Sequence, residues 1–216
     1  MAEQTYTMQT LLTGFGPFGD VESNPAERLV RHFTDNPLSG HALTTCLLPV
    51  SYRRSAPCLL EAIDRGAADG QPFDLVWMLG VATKSAIWRV ERFGRSANGT
   101  RADVDGCVPD ECSDPGGAEV CEATIPVDAV VAALTASGIP AEPSDSAGGF
   151  LCNFGIYTAL THLKRSGSAA RAGFLHIPPD TGTFRQPAAH SASIDFAQQV
   201  HAVEVALAAL AIRSPN

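Results

Sequence analysis

Cys152 and His176 are the residues of this chain whose types and settings could do chemistry. Cys152 sits in Ser146-Ala147-Gly148-Gly149-Phe150-Leu151-Cys152-Asn153, where a small-residue loop runs into an amphipathic segment. A thiol at a helix start meets free backbone N–H groups and the positive end of the helix dipole, and both stabilise a thiolate. Gly148 and Gly149 would let backbone approach a substrate closely. His176 closes the apolar run Gly173-Phe174-Leu175-His176, just before Ile177-Pro178. An imidazole at a strand end is the base that a cysteine nucleophile needs. The competing reading is structural: a free cysteine is commonly a buried core residue, and a lone histidine on an apolar strand is commonly a satisfied one.

Glu91, in Ile87-Trp88-Arg89-Val90-Glu91-Arg92-Phe93, is a third candidate, because charge inside an apolar extended run needs an explanation. Its carboxylate could orient an imidazole and hold its tautomer, or it could pair with Arg89 or Arg92 on an exposed face. Gly14-Phe15-Gly16-Pro17-Phe18-Gly19 places two phenylalanines in a Gly/Pro loop, poorly placed for a core and suited to the apolar wall of a small pocket. This loop lacks the Gly-Lys-Ser/Thr of a phosphate loop and the spacing of a dinucleotide fingerprint.

The elements that must position these residues alternate from end to end. Strands are predicted over 8–13, 43–50, 73–79, 87–93, 140–144 and 173–178. Helices are predicted from Asn24-Pro25-Ala26-Glu27 onward, with Asn24 as cap and Pro25 in the first turn, and over 55–65 with Gly66 as a stop. Further helices are predicted around Val127 to Leu134, over 152–163 and over 193–212. Residues 94–124, rich in Gly, Asp and Pro, read as a long excursion with one hairpin. The alternation predicts one α/β domain over 1–216: a three-layer α/β/α sandwich with a mixed, mostly parallel twisted sheet and helices on both faces. Ligands bind such sheets beyond the carboxyl ends of the strands, where Phe15, His176 and the loop before Cys152 fall.

The bulk numbers narrow the partners. The chain has 216 residues, 45% hydrophobic and 18% charged, with a net charge of −8, which argues against nucleic acid. No apolar run approaches the ~20 residues of a membrane span, and the start lacks a basic region followed by an apolar one, so a cytoplasmic protein is expected. The six cysteines are then free thiols rather than disulfides. Cys107, Cys112 and Cys121 do not have a standard zinc spacing, and no metal is expected.

In order along the chain, Thr13-Gly14-Phe15-Gly16-Pro17-Phe18-Gly19 with Asn24-Pro25, then Glu91-Arg92, then Ser146 to Asn153, then Gly173 to Pro178, resemble the pyroglutamyl peptidase I (pyrrolidone carboxyl peptidase) family of cysteine peptidases. The resemblance runs from about Leu11 to about Leu210. It implies Cys152 as nucleophile, His176 as general acid/base and Glu91 as the carboxylate that orients the histidine. It implies Phe15 and Phe18 as the aromatic residues that hold the pyrrolidone ring, and Val81 as a backbone contact to the ring amide. It also implies Arg101 near the active site, and Phe150 and Leu151 as further pocket residues. The substrate it implies is a peptide with N-terminal pyroglutamate, cleaved without metal or cofactor. Family members occur as monomers and tetramers, so homo-oligomerisation stays open. The chain departs from many bacterial members at Val81, where they carry Gln, and at Gly16, where they carry an acidic residue. Its segment from Asp105 to Cys121 looks closer to the animal-type members. Two other readings stand beside this one: a non-catalytic homologue that binds pyroglutamyl-capped peptides, and a related hydrolase acting on another lactam or on a nucleoside.

Overall fold

The computed structural model describes residues 7–109, 118–184 and 194–211. Among these, strands β1 (Met8–Phe15), β2 (His41–Leu48), β3 (Leu75–Val81), β4 (Trp88–Glu91), β7 (Ala141–Ser144) and β8 (Arg171–Ile177) form a six-stranded sheet in the order β2-β1-β3-β8-β4-β7. The first four of that order run parallel. Strand β4 is antiparallel to β8 and parallel to β7. A second, two-stranded antiparallel sheet joins β5 (Phe93–Arg95) to β6 (Val120–Glu122) and closes the excursion predicted over 94–124.

Two hydrophobic cores, one on each face of the sheet, make the three layers. Side chains alternate across a strand with period two. Leu12, Trp77, Leu79, Val90, Leu175 and Ile177 therefore face α1 (Pro25–Asp35), α3 (Val127–Ala136) and α5 (Phe196–Ala211). Their neighbours Leu11, Phe15, Val76, Met78 and Phe174 face α2 (Tyr52–Ala68) and α4 (Leu151–Ser166). All but the edges of the central strands are covered on both sides, which is why β3 reads as an unbroken apolar run.

Helix α1 starts as its sequence predicts. The Asn24 side chain accepts from the Ala26 N–H at 3.0 Å, and its amide donates to the Gly16 carbonyl at 2.9 Å, tying the 14–19 loop to the helix. A cap of this kind contributes about 1 kcal/mol. Helix α2 is longer than predicted. Ser51 caps it, and it runs through Gly66 to Ala68. Gly66 is not a stop: a Cβ there would lie 2.6 Å from the Phe73 ring, so glycine serves the packing of that ring against the helix. The predicted extended run 87–93 divides at Arg92 into β4 and β5. Phe15 is the last residue of β1 rather than part of a loop, and strand alternation buries it. The ends of the last predicted helix, Ser193 and Ile212, lie outside the described residues, as does Cys112. Among the described residues no helix is long and apolar enough to cross a membrane.

Candidate active site

Strand β8 delivers His176 to the end of the sheet that α4 covers. Its neighbours Ala172 and Phe174 on the same face belong to the core under α4. Pairing between β4 and β8 is antiparallel, with Glu91 opposite Phe174 and Arg89 opposite His176. Glu91 is thus the diagonal neighbour of His176 on one face, while Val90 points into the other core. Diagonal neighbours lie within reach of long side chains. The result is a hydrogen bond between His176 Nδ1 and Glu91 Oε1 at 2.7 Å, joining residues 85 positions apart. Glu91 is fully buried and His176 is 6% exposed, so the pair is screened little by solvent.

With Nδ1 committed to Glu91, Nε2 is left for Cys152, the second residue of α4. Burial pushes the imidazole pKa down, but charge and hydrogen-bond coupling to Cys152, together with Glu91, outweigh it and raise the value to about 9. A value that high keeps the His176 imidazole protonated at neutral pH.

Three local devices hold Cys152 in place. Gly148, at φ +80°, makes the left-handed turn that swings the chain from the end of β7 into α4. Asn153, 1% exposed, accepts from the Arg95 N–H at 2.9 Å and donates to the Arg95 and Ala97 carbonyls and to Asn98 Oδ1, pinning the first turn of α4 to the end of β5 and the chain that follows it. The Gly99 N–H donates to the Gly149 carbonyl at 2.8 Å, holding the loop that precedes the helix. Among the described residues no side chain caps α4, so its first-turn N–H groups are not taken up there by a capping oxygen, unlike those of α1 and α2. Such groups at a helix N-terminus bind anions.

Gly80 makes room for the thiol. It pairs with His176 in the sheet, and a Cβ at this position would lie 2.6 Å from Phe174 and 2.8 Å from the Cys152 Sγ. Gly80→Ala is expected to lower kcat/KM by about 100-fold, since a displacement near 1 Å in a reacting group has an effect of that order. Steady-state kinetics alongside a thermal melt check this: wild-type activity in Gly80→Ala would show that the thiol does not need the space.

Cys152 and His176 open onto a cleft of about 750 Å3 that Phe18, Val81, Arg101 and Phe150 also line. The Phe18 and Phe150 rings lie 5.8 Å apart, and the Arg101 guanidinium stacks over both, 5.2 and 4.6 Å from their centroids. Asp103 fixes the segment that carries Arg101: its carboxylate accepts from the Tyr52 N–H at 2.7 Å and from the N–H groups of Asp105 and Cys107. Phe15 and Leu151, also expected around the pocket, lie one layer deeper in the core, 3% and 1% exposed. Glu91 likewise lies behind His176 rather than on the cleft wall. Gly80 and Asn153 join the functional residues only through the tertiary structure. Asn153 directly follows the cysteine, which is the one sequence signal that points to it, and a glycine one residue before Val81 carries no signal of its own.

An α/β/α sandwich with a thiol, an imidazole and a buried carboxylate meeting at one sheet end defines the class: α/β proteins with a cysteine–histidine–glutamate constellation. The pyroglutamyl peptidase family model matches residues 8–213, and the chain belongs to that family. A pyrrolidone-carboxylate peptidase of Gloeobacter violaceus is 35% identical over 207 residues, 94% of this chain and 97% of that one. One from Mycobacterium bovis is 35% identical over 175 residues, 79% of this chain and 77% of that protein. The crystal structure of pyroglutamyl peptidase I from Bacillus amyloliquefaciens superposes with a TM-score of 0.85 at 26% identity, covering 96% of each chain.

Proposed function

We propose that this chain is a cysteine peptidase that hydrolyses the amide bond after an N-terminal pyroglutamyl residue, with Cys152, His176 and Glu91 as its catalytic residues. The observation that carries the reading is His176 held between the Glu91 carboxylate and the Cys152 thiol on the wall of an aromatic-lined cleft. The Cys152 thiolate attacks the pyroglutamyl carbonyl. The oxyanion that forms is met by the first-turn N–H groups of α4, with Arg101 adding positive charge nearby. His176 protonates the leaving amine, then takes a proton from the water that hydrolyses the thioester. Glu91 stabilises the imidazolium and fixes its tautomer.

The pyroglutamyl residue is a flat, neutral lactam with no free α-amine. It fits an apolar slot beside Phe18 and Phe150, with Val81 offering backbone hydrogen bonds. A free N-terminal glutamine or glutamate would bring an unpaired ammonium into that slot, a costly burial. Specificity then comes in part from excluding charge. The substrates are peptides, the chain works as one domain over 1–216, and a free thiol nucleophile suits the reducing cytoplasm.

A chromogenic pyroglutamyl amide tests the reading. Hydrolysis is expected, with none of the corresponding free glutaminyl amide, and thiol alkylation should abolish it. Because His176 must be protonated to release the amine, kcat/KM should hold through neutral pH and fall as pH rises through about 9. The same raised pKa has a consequence for stability. The folded state holds the proton more tightly than the unfolded one, so this contribution is complete below the ordinary imidazole value of 6.5 and is lost as pH rises through about 9. A rate that keeps climbing past pH 10 would contradict the imidazolium role.

A further inference from the structure

Cys46 and Cys58 play no part in the cleft just described, yet their sulfurs lie 3.7 Å apart. Cys46 is on β2 and faces the same core as Leu48; Cys58 is on α2, and both thiols pack on that core half-buried. They open onto a groove of about 270 Å3 on the outside of the β2–α2 pair, whose lining shares no residue with the Cys152 cleft. The two are 12 positions apart, on separate elements that the fold fixes against each other. The sulfurs have to close from 3.7 Å to the ~2.05 Å of a disulfide bond, a gap that side-chain rotation spans where the Cβ atoms lie about 3.5–4.5 Å apart.

We propose that Cys46 and Cys58 are a dithiol modification site, which a low-molecular-weight disulfide converts to an intramolecular disulfide joining the edge strand β2 to α2. The order of attack follows from the surroundings. Burial and the neighbouring Cys58 push the Cys46 thiol up to about 12, so Cys46 keeps its proton. In the proposed order Cys58 attacks first: as a thiolate it bonds to one sulfur of the small disulfide and expels the other as a small thiolate. Cys46 then gives up its proton and attacks the Cys58 sulfur of the mixed disulfide, expelling the second small thiol. The protein dithiol is oxidised by two electrons, and one small disulfide is reduced to two thiols. Proximity is what makes the second step fast, as an intramolecular attack. The proposal is independent of the peptidase reading.

The experiment incubates the reduced protein with 2-hydroxyethyl disulfide, quenches it with N-ethylmaleimide and maps the peptides by mass spectrometry without reduction. The expected product is a peptide pair linked through Cys46 and Cys58, lighter by two hydrogens and released by dithiothreitol. Cys46→Ser, expected to hydrolyse a pyroglutamyl amide at the wild-type rate, should instead stop with a hydroxyethylthio adduct on Cys58. The proposal is overturned if wild-type Cys58 accumulates the adduct without the internal link, if both residues emerge carrying maleimide, or if either is linked to a different cysteine. The wild-type map decides the question even where the serine variant does not fold.

Discussion

Replacing Cys152 by alanine is expected to lower pyroglutamyl amide hydrolysis by more than about 10,000-fold while leaving the fold in place. The size follows from the chemistry: a catalytic constellation acts as a unit, and removal of the nucleophile closes the covalent route entirely, leaving only what binding and the oxyanion donors contribute. The fold should persist because α4 is anchored by Asn153, Leu151 and Phe154 rather than by the thiol. The substitution has a second, spectroscopic readout. Cys152 is a principal cause of the raised His176 pKa, so in Cys152→Ala the imidazole should titrate below its wild-type value of about 9. A proton NMR titration of the ring measures this. Full activity in the variant would end the nucleophile assignment; an unmoved imidazole would end the coupling between the two side chains.

The second large effect is expected at Glu91. Glu91→Gln preserves volume but removes the charge that stabilises the imidazolium and lets either end of the amide face Nδ1. Loss of the carboxylate in comparable triads costs about 10,000-fold with the geometry intact, so a fall in kcat of about 1,000-fold or more is expected, with KM changed little. The alkaline limb of the pH profile should move down, since Glu91 raises the His176 pKa. Glu91→Ala should also destabilise the protein, because breaking a buried charge pair by removing one partner leaves the other uncompensated. The second carboxylate oxygen, Oε2, is buried with no hydrogen-bond partner among the described residues, so the carboxylate's place rests on His176. Activity within about threefold of wild type in Glu91→Gln, judged by the same kinetics, would reduce Glu91 to a structural residue.

The two assignments differ in how they could be reached from the residues. The setting of Cys152 is local. A small-residue loop, a glycine at positive φ and an amphipathic run follow one another in sequence, and the helix N-terminus they imply is where α4 begins. His176 at a strand end is nearly as local. Glu91 is different: next to Arg89 and Arg92, an exposed ion-paired face is the plainer reading. Arg92 does face outward to Asp128 and Asp145. What separates Glu91 from its neighbours is the antiparallel insertion of β4 beside β8, a pairing between segments far apart in the chain that no local pattern encodes.

Phe15 and Phe18 show the same division. Both stand in one Gly/Pro-rich stretch and look alike in sequence. The strand runs one turn of alternation further than the pattern suggests, so Phe15 enters the core while Phe18 reaches the cleft. Gly66 and Gly80 carry the lesson for glycine. Neither role shows in the sequence, because what each accommodates, the Phe73 ring and the Cys152 thiol, arrives from another element.

By itself, the sequence determined the α/β class, because the alternation of strand and helix patterns is written residue by residue in hydrophobic periodicity and caps. The sequence also determined the nucleophile and base types, and their order, which carried the family resemblance. Tertiary structure alone decided that Glu91 reaches His176 as its diagonal neighbour across β4 and β8, that Gly80 clears space for the thiol, and that Cys46 lies beside Cys58. Those three facts depend on which strands and helices become neighbours. Neighbours are chosen by the packing of two whole cores against one sheet, a property that no short stretch of the chain contains.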